Sequence, residues 1–332
     1  MRIAIVKLSA LGDIIHTMIV LQFITDHYPE SIIDWFVEES FKGVLENNPH
    51  INKIHTISFN KIKQEKSIRY LLEEILRLRK LEKYDLVIDI QNLIKSAIVS
   101  RVIPSDKTIG LDKNSSREGL ASIFYTHKYA IAHAENIIKR NTTIVSKALN
   151  IKISRDDIIN KEPFLYFDKC NFNLISGNKP NIILVPGASF ASKIYPVKQY
   201  SEITKKIDAN FIILWGNDSE KIIADQIKLS SSKVCIADKL SFNKLKSLLS
   251  QVDLVIGGDT GPVHMAWALN VPSITLFGST PGYRNTYITN INRIIESSSD
   301  VNPYKIDKND FSIKDIKVSD IVKISEHLLE FN

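Results

Sequence analysis

The sequence predicts an α/β protein built from two doubly wound parallel sheets. Short apolar runs rich in β-branched residues alternate with helical patterns from end to end, and this alternation lapses once, near residues 160–180. A chain of 332 residues is also too long for one average domain. Strands that alternate with helices are typical of βαβ units, in which helices cover both faces of a parallel sheet. We therefore predict one domain over 1–165 and a second over 166–332.

In the first half, near-continuous apolar runs predict buried strands, and amphipathic stretches between them predict helices. The predicted strands are Ile3–Leu8, Ile32–Val37, Ile54–Ile57, Leu86–Ile90 and Thr108–Leu111. The predicted helices include Thr17–Asp26 and Ile68–Leu81. The second half repeats this pattern, with strands predicted at Asn181–Val185, Phe211–Leu214, Val234–Ile236, Leu254–Ile256 and Ile274–Phe277. The last helical stretch, Val318–Phe331, could pack on either domain.

Composition narrows the class of protein. Hydrophobic residues make up 44% and charged residues 24%, as is usual for a soluble globular chain. Cys170 and Cys235 lie far apart, which favours a reducing compartment over a disulfide scaffold or zinc site. The apolar N-terminus is interrupted by charges and reads as a core strand and helix, not as a signal peptide. A net charge of +6 favours an anionic partner, although a lysine-rich solvated surface would give the same number.

The segment DTGPVH, directly after the predicted strand Leu254–Ile256, carries the densest polar cluster. Pro262 suits the first position of a helix. The free N–H groups of a helix start, together with its dipole, form a site for an anion such as phosphate. The alternative is that Asp259 or Thr260 merely caps the helix and that the histidine is a buried neutral side chain. The candidate residues here are Asp259, Thr260, Gly261 and His264.

Two further strand ends in the second half carry candidate residues. Ser189 and Lys193 follow the first strand in a loop of small residues, and Glu220 follows the second. The lysine is either an anion ligand or an exposed loop residue. Glu220 either binds ribose hydroxyls or belongs to a helix start capped by Asp218 or Ser219. Because ligands bind at the carboxyl ends of parallel strands, the three strand ends together predict a nucleotide-diphosphate site.

The N-terminal segment KLSALGD also runs from a strand through a loop into a helix. It lacks the Gly-x-Gly-x-x-Gly fingerprint, which argues against a nicotinamide enzyme. Asp13 either caps the helix or faces the ligand as a general base. Basic residues elsewhere belong either to solvated surface or to a clamp for an anionic acceptor. The candidate acceptor-binding residues are Lys7, Ser9, Lys61, Lys63 and Arg117.

Five motifs occur along the chain in the order KLSALGDIIHT, DWFVEESF, YDLVIDIQNLIKSA, REGLASIFY and GGDTGPVHMAWAL. Together and in this order, they resemble the lipopolysaccharide heptosyltransferases. The N-terminal motifs look most like the heptosyltransferase I branch, and the resemblance covers most of both halves. It implies a GT-B fold, in which two Rossmann-like domains face a cleft, the first binding the acceptor and the second the nucleotide-sugar donor. In the donor loop the sequence departs from the family, with Tyr195 where tryptophan is common, and GASFAS is closer to heptosyltransferase II.

The resemblance also implies a reaction. ADP-L-glycero-β-D-manno-heptose would donate heptose to 3-deoxy-D-manno-octulosonic acid (Kdo) on lipid A, with inversion, in inner-core biosynthesis. Asp13 matches the family's catalytic base, Lys193 the lysine that steadies the diphosphate, and Glu220 the ribose-binding glutamate. Asp259 matches the carboxylate near the heptose. Thr260 and Gly261 match the phosphate-binding backbone, and Ser189 and His264 fall in the donor site, whereas Lys7, Ser9, Lys61, Lys63 and Arg117 fall on the acceptor side.

No metal is expected, since the sequence has no Asp-x-Asp motif and a helix start with a lysine can stabilise a leaving diphosphate. No other cofactor and no nucleic-acid partner is expected. The protein is predicted to be cytoplasmic and in weak, salt-sensitive contact with the inner membrane. Alternatives are a heptosyltransferase II, a GT-B sugar-nucleotide epimerase and a non-catalytic nucleotide-sugar sensor. The sequence leaves the oligomeric state undetermined.

Overall fold

The computed structural model describes residues 1–58, 68–304 and 306–330. The chain divides into two compact units, Met1–Tyr166 and Phe167–Asn332. In each unit the described residues form one six-stranded sheet whose neighbouring strands are all parallel. The predicted pair of doubly wound parallel sheets is therefore confirmed.

The first unit alternates strands and helices as expected. Its strands are β1 (Arg2–Val6), β2 (Ile32–Glu38), β3 (Lys53–Ile57), β4 (Tyr84–Asp89), β5 (Ser105–Leu111) and β6 (His127–Tyr129). Its helices are α1 (Leu11–Met18), α2 (Val20–His27), α3 (Lys42–Leu45), α4 (Ile68–Arg79), α5 (Ile94–Val102), α6 (Ile137–Leu149) and α7 (Arg155–Ile159). Two 3₁₀ segments, Glu39–Phe41 and Gly119–Phe124, follow β2 and β5.

The second unit follows the same alternation. Its strands are β7 (Asn181–Val185), β8 (Asn210–Ile213), β9 (Val234–Ile236), β10 (Leu254–Gly258), β11 (Ser273–Phe277) and β12 (Asn292–Glu296). Its helices are α8 (Val197–Lys206), α9 (Asp218–Leu229), α10 (Phe242–Leu249), α11 (Gly261–Ala268), α12 (Gly282–Asn285) and α13 (Val318–Glu330). Two 3₁₀ segments are Ala191–Lys193 and Ser312–Asp315.

The two sheets share one strand order. The first runs β3-β2-β1-β4-β5-β6 and the second, read from its other edge, runs β9-β8-β7-β10-β11-β12. In both, the order reverses between the first and fourth strands, where Val6 is level with Asp89 and Val185 with Gly257. Ligands of doubly wound sheets bind at this switch point, outside the carboxyl ends of the strands. The segment KLSALGD follows β1 at the switch point of the first sheet, and DTGPVH follows β10 at that of the second.

Burial of apolar surface holds each sheet between its helices. Every residue of β7 and β10 is buried, as expected for central parallel strands covered on both faces. The amphipathic helix α13 packs against α8 and contributes Ile321 and Leu328 to the core of the second unit. The sequence allowed this helix to pack on either domain, and the structure shows that it packs on the second sheet.

Several boundaries differ from the prediction. The first strand ends at Val6, two residues early, because the chain turns there into the loop that precedes α1. The single helix predicted at Thr17–Asp26 is the pair α1 and α2. The strands β6 and β12, each at one edge of its sheet, escaped prediction. An edge strand meets solvent and needs no continuous apolar run, and their sequences, HKY and NRIIE, have none.

Candidate active site

Lys193 and Asp259 form a largely buried ion pair at the switch point of the second sheet. Lys193 ends the 3₁₀ segment after β7, and Asp259 follows β10 directly. The Lys193 Nζ lies 2.7 Å from Asp259 Oδ2, and the two side chains are 9% and 10% exposed. The interpretation of Lys193 as an exposed loop lysine is therefore wrong. A Cβ at Gly258 would lie 3.0 Å from the Lys193 carbonyl oxygen, so the two loops approach closely at this glycine.

Asp259 accepts hydrogen bonds from several side chains in addition to the lysine. His264 Nε2 donates to Oδ1 at 3.1 Å, while Thr280 Oγ1 and Asn285 Nδ2 each donate to Oδ2 at 3.3 Å. Burial acts to raise the pKa of the Asp259 carboxyl, but the His264 hydrogen bond and the Lys193 charge outweigh it and hold the pKa well below its usual range. Asp259 is therefore a fixed negative charge at neutral pH.

The start of α11 lies directly beside this carboxylate. Thr260 occupies the N-cap position with extended backbone, and Pro262 lies in the first turn. The Thr260 side chain makes no capping hydrogen bond, and its buried Oγ1 has no partner in the described part of the chain. The capping alternative is thus wrong for Thr260. The first N–H groups of this helix, Gly261 included, have no intrahelical acceptor, which suits them to an anionic ligand.

Glu220 lies at the carboxyl end of the neighbouring strand β8. The cap of α9 is Asn217, whose Oδ1 accepts from the Glu220 N–H at 3.1 Å, so the predicted caps Asp218 and Ser219 are wrong. The Glu220 carboxylate in turn accepts from the Gly216 N–H at 2.7 Å and from the Asn217 side chain at 2.9 Å. It also lies against the loop after β7, because a Cβ at Gly187 would approach its Cδ to 2.3 Å. Ser189 is exposed in that same loop.

In the first unit, the loop after β1 carries Lys7 and Ser9 and leads into α1, which carries Asp13. Asp13 is the third residue of α1, and its Oδ2 accepts from the N–H of Ala10, the residue at the N-cap position, at 3.4 Å. The interpretation of Asp13 as the N-cap residue is therefore wrong by three positions. The segment after the neighbouring strand β4 fixes this loop, since Gln91 Oε1 accepts from the N–H groups of Leu8 and Ser9, both at 3.2 Å.

A buried carboxylate, Asp89, organises the end of β4. Its oxygens accept from the N–H groups of Gln91 and Asn92, both at 2.9 Å, and from the hydroxyls of Ser96 and Tyr125, both at 2.8 Å. Burial outweighs these hydrogen bonds and raises the pKa of Asp89 to about 6.

Lys7 is a buried lysine at this edge of the first sheet. The side chain is 3% exposed. Burial lowers the pKa of Lys7. The negative charges of Asp13 and Asp89 act to raise this pKa, whereas the positive charge of Arg140 lowers it further. Lys7 therefore lies close enough to Asp13 for the two side chains to interact electrostatically.

The other acceptor-side candidates are dispersed. Lys95 Nζ donates to Ser9 Oγ at 3.4 Å, which joins the start of α5 to the loop after β1. Arg117 is exposed in the segment after β5. Lys61 and Lys63 lie outside the residues that the structure describes.

Comparison with known proteins places the chain in a family. Residues 75–310 match glycosyltransferase family 9 (heptosyltransferase). Lipopolysaccharide heptosyltransferase 1 of Campylobacter coli is 40% identical over 99% of this chain and 99% of its own. The chain belongs to glycosyltransferase family 9. Lipopolysaccharide heptosyltransferase 1 of Pseudomonas aeruginosa is 28% identical over 86% of this family 9 chain and 81% of its own.

Solved structures show the same fold for this family 9 glycosyltransferase. Escherichia coli heptosyltransferase WaaC, solved with ADP, matches with a TM-score of 0.81 at 22% identity, over 99% of this chain and 100% of that one. This match confirms the predicted GT-B fold class. Membership of family 9 confirms the predicted enzyme class, a glycosyltransferase.

Sequence reasoning missed several polar residues of this family 9 enzyme. Thr280 and Asn285, which donate hydrogen bonds to Asp259, follow β11. The polar pair Ser279-Thr280 at this strand end was the signal for the threonine. Two other serines in these loops, Ser192 and Ser279, are buried, and their hydroxyls have no partner among the described residues. Asp89 was also missed, although an acid that ends a buried run such as YDLVID marks the same kind of site.

Among the described residues of the family 9 enzyme, no group of three or more His, Cys, Asp or Glu side chains is arranged to hold a metal ion. The two cysteines, Cys170 and Cys235, are both unpaired. No helix in the described ranges is long and apolar enough to cross a membrane.

Proposed function

We propose that this protein transfers L-glycero-D-manno-heptose from ADP-L-glycero-β-D-manno-heptose to Kdo of lipid A, in the inner core of lipopolysaccharide. The charged Lys193–Asp259–His264 cluster beside the start of α11 carries the proposal, in a chain 40% identical to a lipopolysaccharide heptosyltransferase 1. The name of that relative favours transfer of the first heptose over the second.

In the proposed donor site, the diphosphate lies at the start of α11. The free N–H groups of α11 and the unpartnered Thr260 hydroxyl donate hydrogen bonds to the diphosphate, and the Lys193 ammonium lies beside it. Together they stabilise the negative charge that develops as ADP leaves. A buried hydroxyl without a partner costs about 1–3 kcal/mol, so a ligand oxygen at Thr260 would recover that energy. Glu220 accepts from the ribose hydroxyls, and Asp259 holds Lys193 and accepts from a heptose hydroxyl. No metal ion takes part in this mechanism.

In the proposed acceptor site, Asp13 is the general base. It takes the proton of the Kdo hydroxyl as that oxygen attacks the anomeric carbon of heptose. The bond from that carbon to the diphosphate oxygen breaks, ADP leaves with the electron pair, and the configuration inverts. The Gln91 hydrogen bonds fix the loop that leads to this base, and Lys7 and Arg117 bind the anionic acceptor. Lys61 and Lys63 belong to the same proposed clamp.

We further propose that the enzyme works in the cytoplasm, at the inner face of the membrane that contains its acceptor. The test is to incubate the purified protein with ADP-heptose and Kdo-lipid A and to weigh the lipid by mass spectrometry. We expect a mass gain of one heptose. A gain only on an acceptor that already carries heptose would indicate a heptosyltransferase II. Release of free or epimerised sugar, or binding without reaction, would indicate the epimerase or the sensor.

A further inference from the structure

Asn285 carries an amide group whose orientation is fixed by Asp259. The residue ends α12, and its Nδ2 donates to Asp259 Oδ2 at 3.3 Å. An ionised carboxylate only accepts hydrogen bonds, so the amide presents its NH₂ group to Asp259 and its Oδ1 faces elsewhere. Among the described residues none donates to this Oδ1, and the oxygen is not buried, although the side chain is half-buried. Asn285 therefore offers an open acceptor beside the charged cluster of the candidate site.

The short helix α12 is held against two strands of the second sheet. The Gly282 N–H donates to Glu296 Oε1, at the end of β12, at 2.8 Å. A Cβ at Gly282 would lie 2.8 Å from Ile294 Cδ1 and 3.0 Å from Phe277 Cδ2, so the backbone packs directly on β12 and β11. Side chains on such fixed segments present their polar atoms with defined geometry. Asn285 is therefore held in place by the sheet as well.

The Oδ2 atom of Asp259 has no capacity left for a ligand. It already accepts from Lys193 at 2.7 Å, and from Thr280 and Asn285, each at 3.3 Å. In the described part of the chain, Oδ1 accepts from His264 alone. A carboxylate has about four acceptor sites, two on each oxygen. A ligand hydroxyl can therefore bind Asp259 only at Oδ1, and the amide oxygen of Asn285 is the open acceptor next to it.

The strand order places Asn285 at the sugar end of the proposed donor. Glu220 follows β8, Lys193 follows β7, Asp259 follows β10 and Asn285 follows β11. These strands are neighbours in the order β8-β7-β10-β11. A donor with its ribose at β8 and its diphosphate at β7 and β10 extends its sugar toward β11. An amide oxygen accepts hydrogen bonds, as the oxygens of an ionised diphosphate also do, so a sugar hydroxyl is the part of the donor that fits it.

We propose that Asn285 is a specificity-determining residue for the transferred sugar, and that its Oδ1 accepts a hydrogen bond from a hydroxyl of that sugar. The inference rests on the proposed function, which supplies a sugar on a nucleoside diphosphate. Thr280 donates to the same oxygen of Asp259 at the same distance, but its side chain is only 3% exposed. Of the two residues, Asn285 is the one open to a ligand, so the pair separates contact with the sugar from support of Asp259.

The test is calorimetric titration of wild type, Asn285→Leu and Thr280→Val with ADP and with ADP-heptose. We expect Asn285→Leu to raise the ratio of the ADP-heptose Kd to the ADP Kd about fivefold, the effect of one lost hydrogen bond. Asn285→Ala, a second variant without the amide, should raise the ratio as well. Thr280→Val is the matched control, because it also removes a hydrogen bond to Asp259, and it should leave the ratio as in wild type. Binding of ADP by each variant shows that its second unit is folded.

An unchanged ratio in Asn285→Leu and Asn285→Ala would overturn the inference. So would an equal rise in Thr280→Val, because Asn285 would then act only by supporting Asp259. Transfer to Kdo-lipid A separates this result from the proposed function. If wild type transfers heptose but the ratio does not depend on Asn285, the function stands and the inference is wrong. If the ratio rises in the Asn285 variants alone while wild type transfers nothing to Kdo-lipid A, the sugar contact stands and the proposed acceptor is wrong.

Discussion

Replacing Asp259 with asparagine should destabilise the second unit through the lysine that it leaves behind. Asparagine keeps the shape and one oxygen for His264 but removes the charge that faces the Lys193 ammonium at 2.7 Å. Both side chains of the pair are about nine-tenths buried, so water cannot replace the lost partner. Breaking a buried ion pair from one side costs about 3–5 kcal/mol. We expect about 3 kcal/mol, because the asparagine oxygen still accepts a hydrogen bond.

Scanning calorimetry measures this effect. For a unit of this size, 1 kcal/mol shifts the unfolding temperature by about 2–4 °C, so Asp259→Asn should lower it by about 6–12 °C. The matched control is Asp225→Asn, which breaks the exposed pair with Lys221 on α9 and should cost less than about 1 kcal/mol.

The double variant Lys193→Met/Asp259→Asn should be less destabilised than the sum of its single variants, because neither charge is then left alone. The reasoning is refuted if Asp259→Asn lowers the unfolding temperature no more than Asp225→Asn does. Strict additivity in the double variant would refute it too.

Three further predictions concern other sites. Gln91→Leu should lower kcat at least about tenfold without weakening ADP binding, because a loosened loop before α1 misplaces the base Asp13. Steady-state kinetics measures kcat and calorimetric titration measures the ADP Kd, and weakened ADP binding would contradict this prediction. Glu220→Gln should raise the ADP Kd about tenfold by losing charge-assisted bonds to ribose, and titration with AMP, which has the same ribose, should show the same loss. Asp34 is a buried residue of β2 whose carboxylate accepts from the Tyr84 hydroxyl at 2.5 Å and from Asn52 Nδ2 at 2.7 Å. Burial acts to raise its pKa, but hydrogen bonds from His55, Tyr84 and Asn52 outweigh it and lower the pKa to about 2. Asp34 should therefore stabilise the fold by about 2 kcal/mol above pH 4, and that stabilisation should be lost as the pH falls toward 2. Denaturation of Asp34→Asn across this range should show a flatter acid limb, and an unchanged limb would contradict the assignment.

The sequence predicted the central strands of the second sheet well because they are buried on both faces. The central strand Asn181–Val185 has the bounds that were expected, and so does the edge strand Val234–Ile236, whose three residues are all apolar. A central parallel strand must be apolar throughout, so its pattern marks both of its ends. The edge strand β12 has a solvent side, and its polar alternation does not distinguish it from a loop.

The sequence predicted candidate-site residues that follow the ends of strands, but it did not predict the contacts between separate loops. Asp259, Thr260 and Lys193 were found because each ends or closely follows an apolar strand. The caps were misassigned, since Asp13, Asn217 and their neighbours offer several acceptors within one turn, and backbone angles decide which one caps. Contacts such as Asn285 to Asp259 depend on how separate loops fold toward one another, which one sequence does not encode locally.

The most direct test of the account is single-turnover transfer to Kdo-lipid A by wild type and by Asp13→Asn, with ADP affinity measured on both. General-base catalysis is worth about 10²–10⁴-fold, so the account predicts a loss of at least about a hundredfold in the transfer rate and an unchanged ADP Kd. The control is Asp26→Asn, an exposed acid on α2, which should transfer at the wild-type rate. Transfer by Asp13→Asn at the wild-type rate would contradict the account, as would an equal loss in both variants.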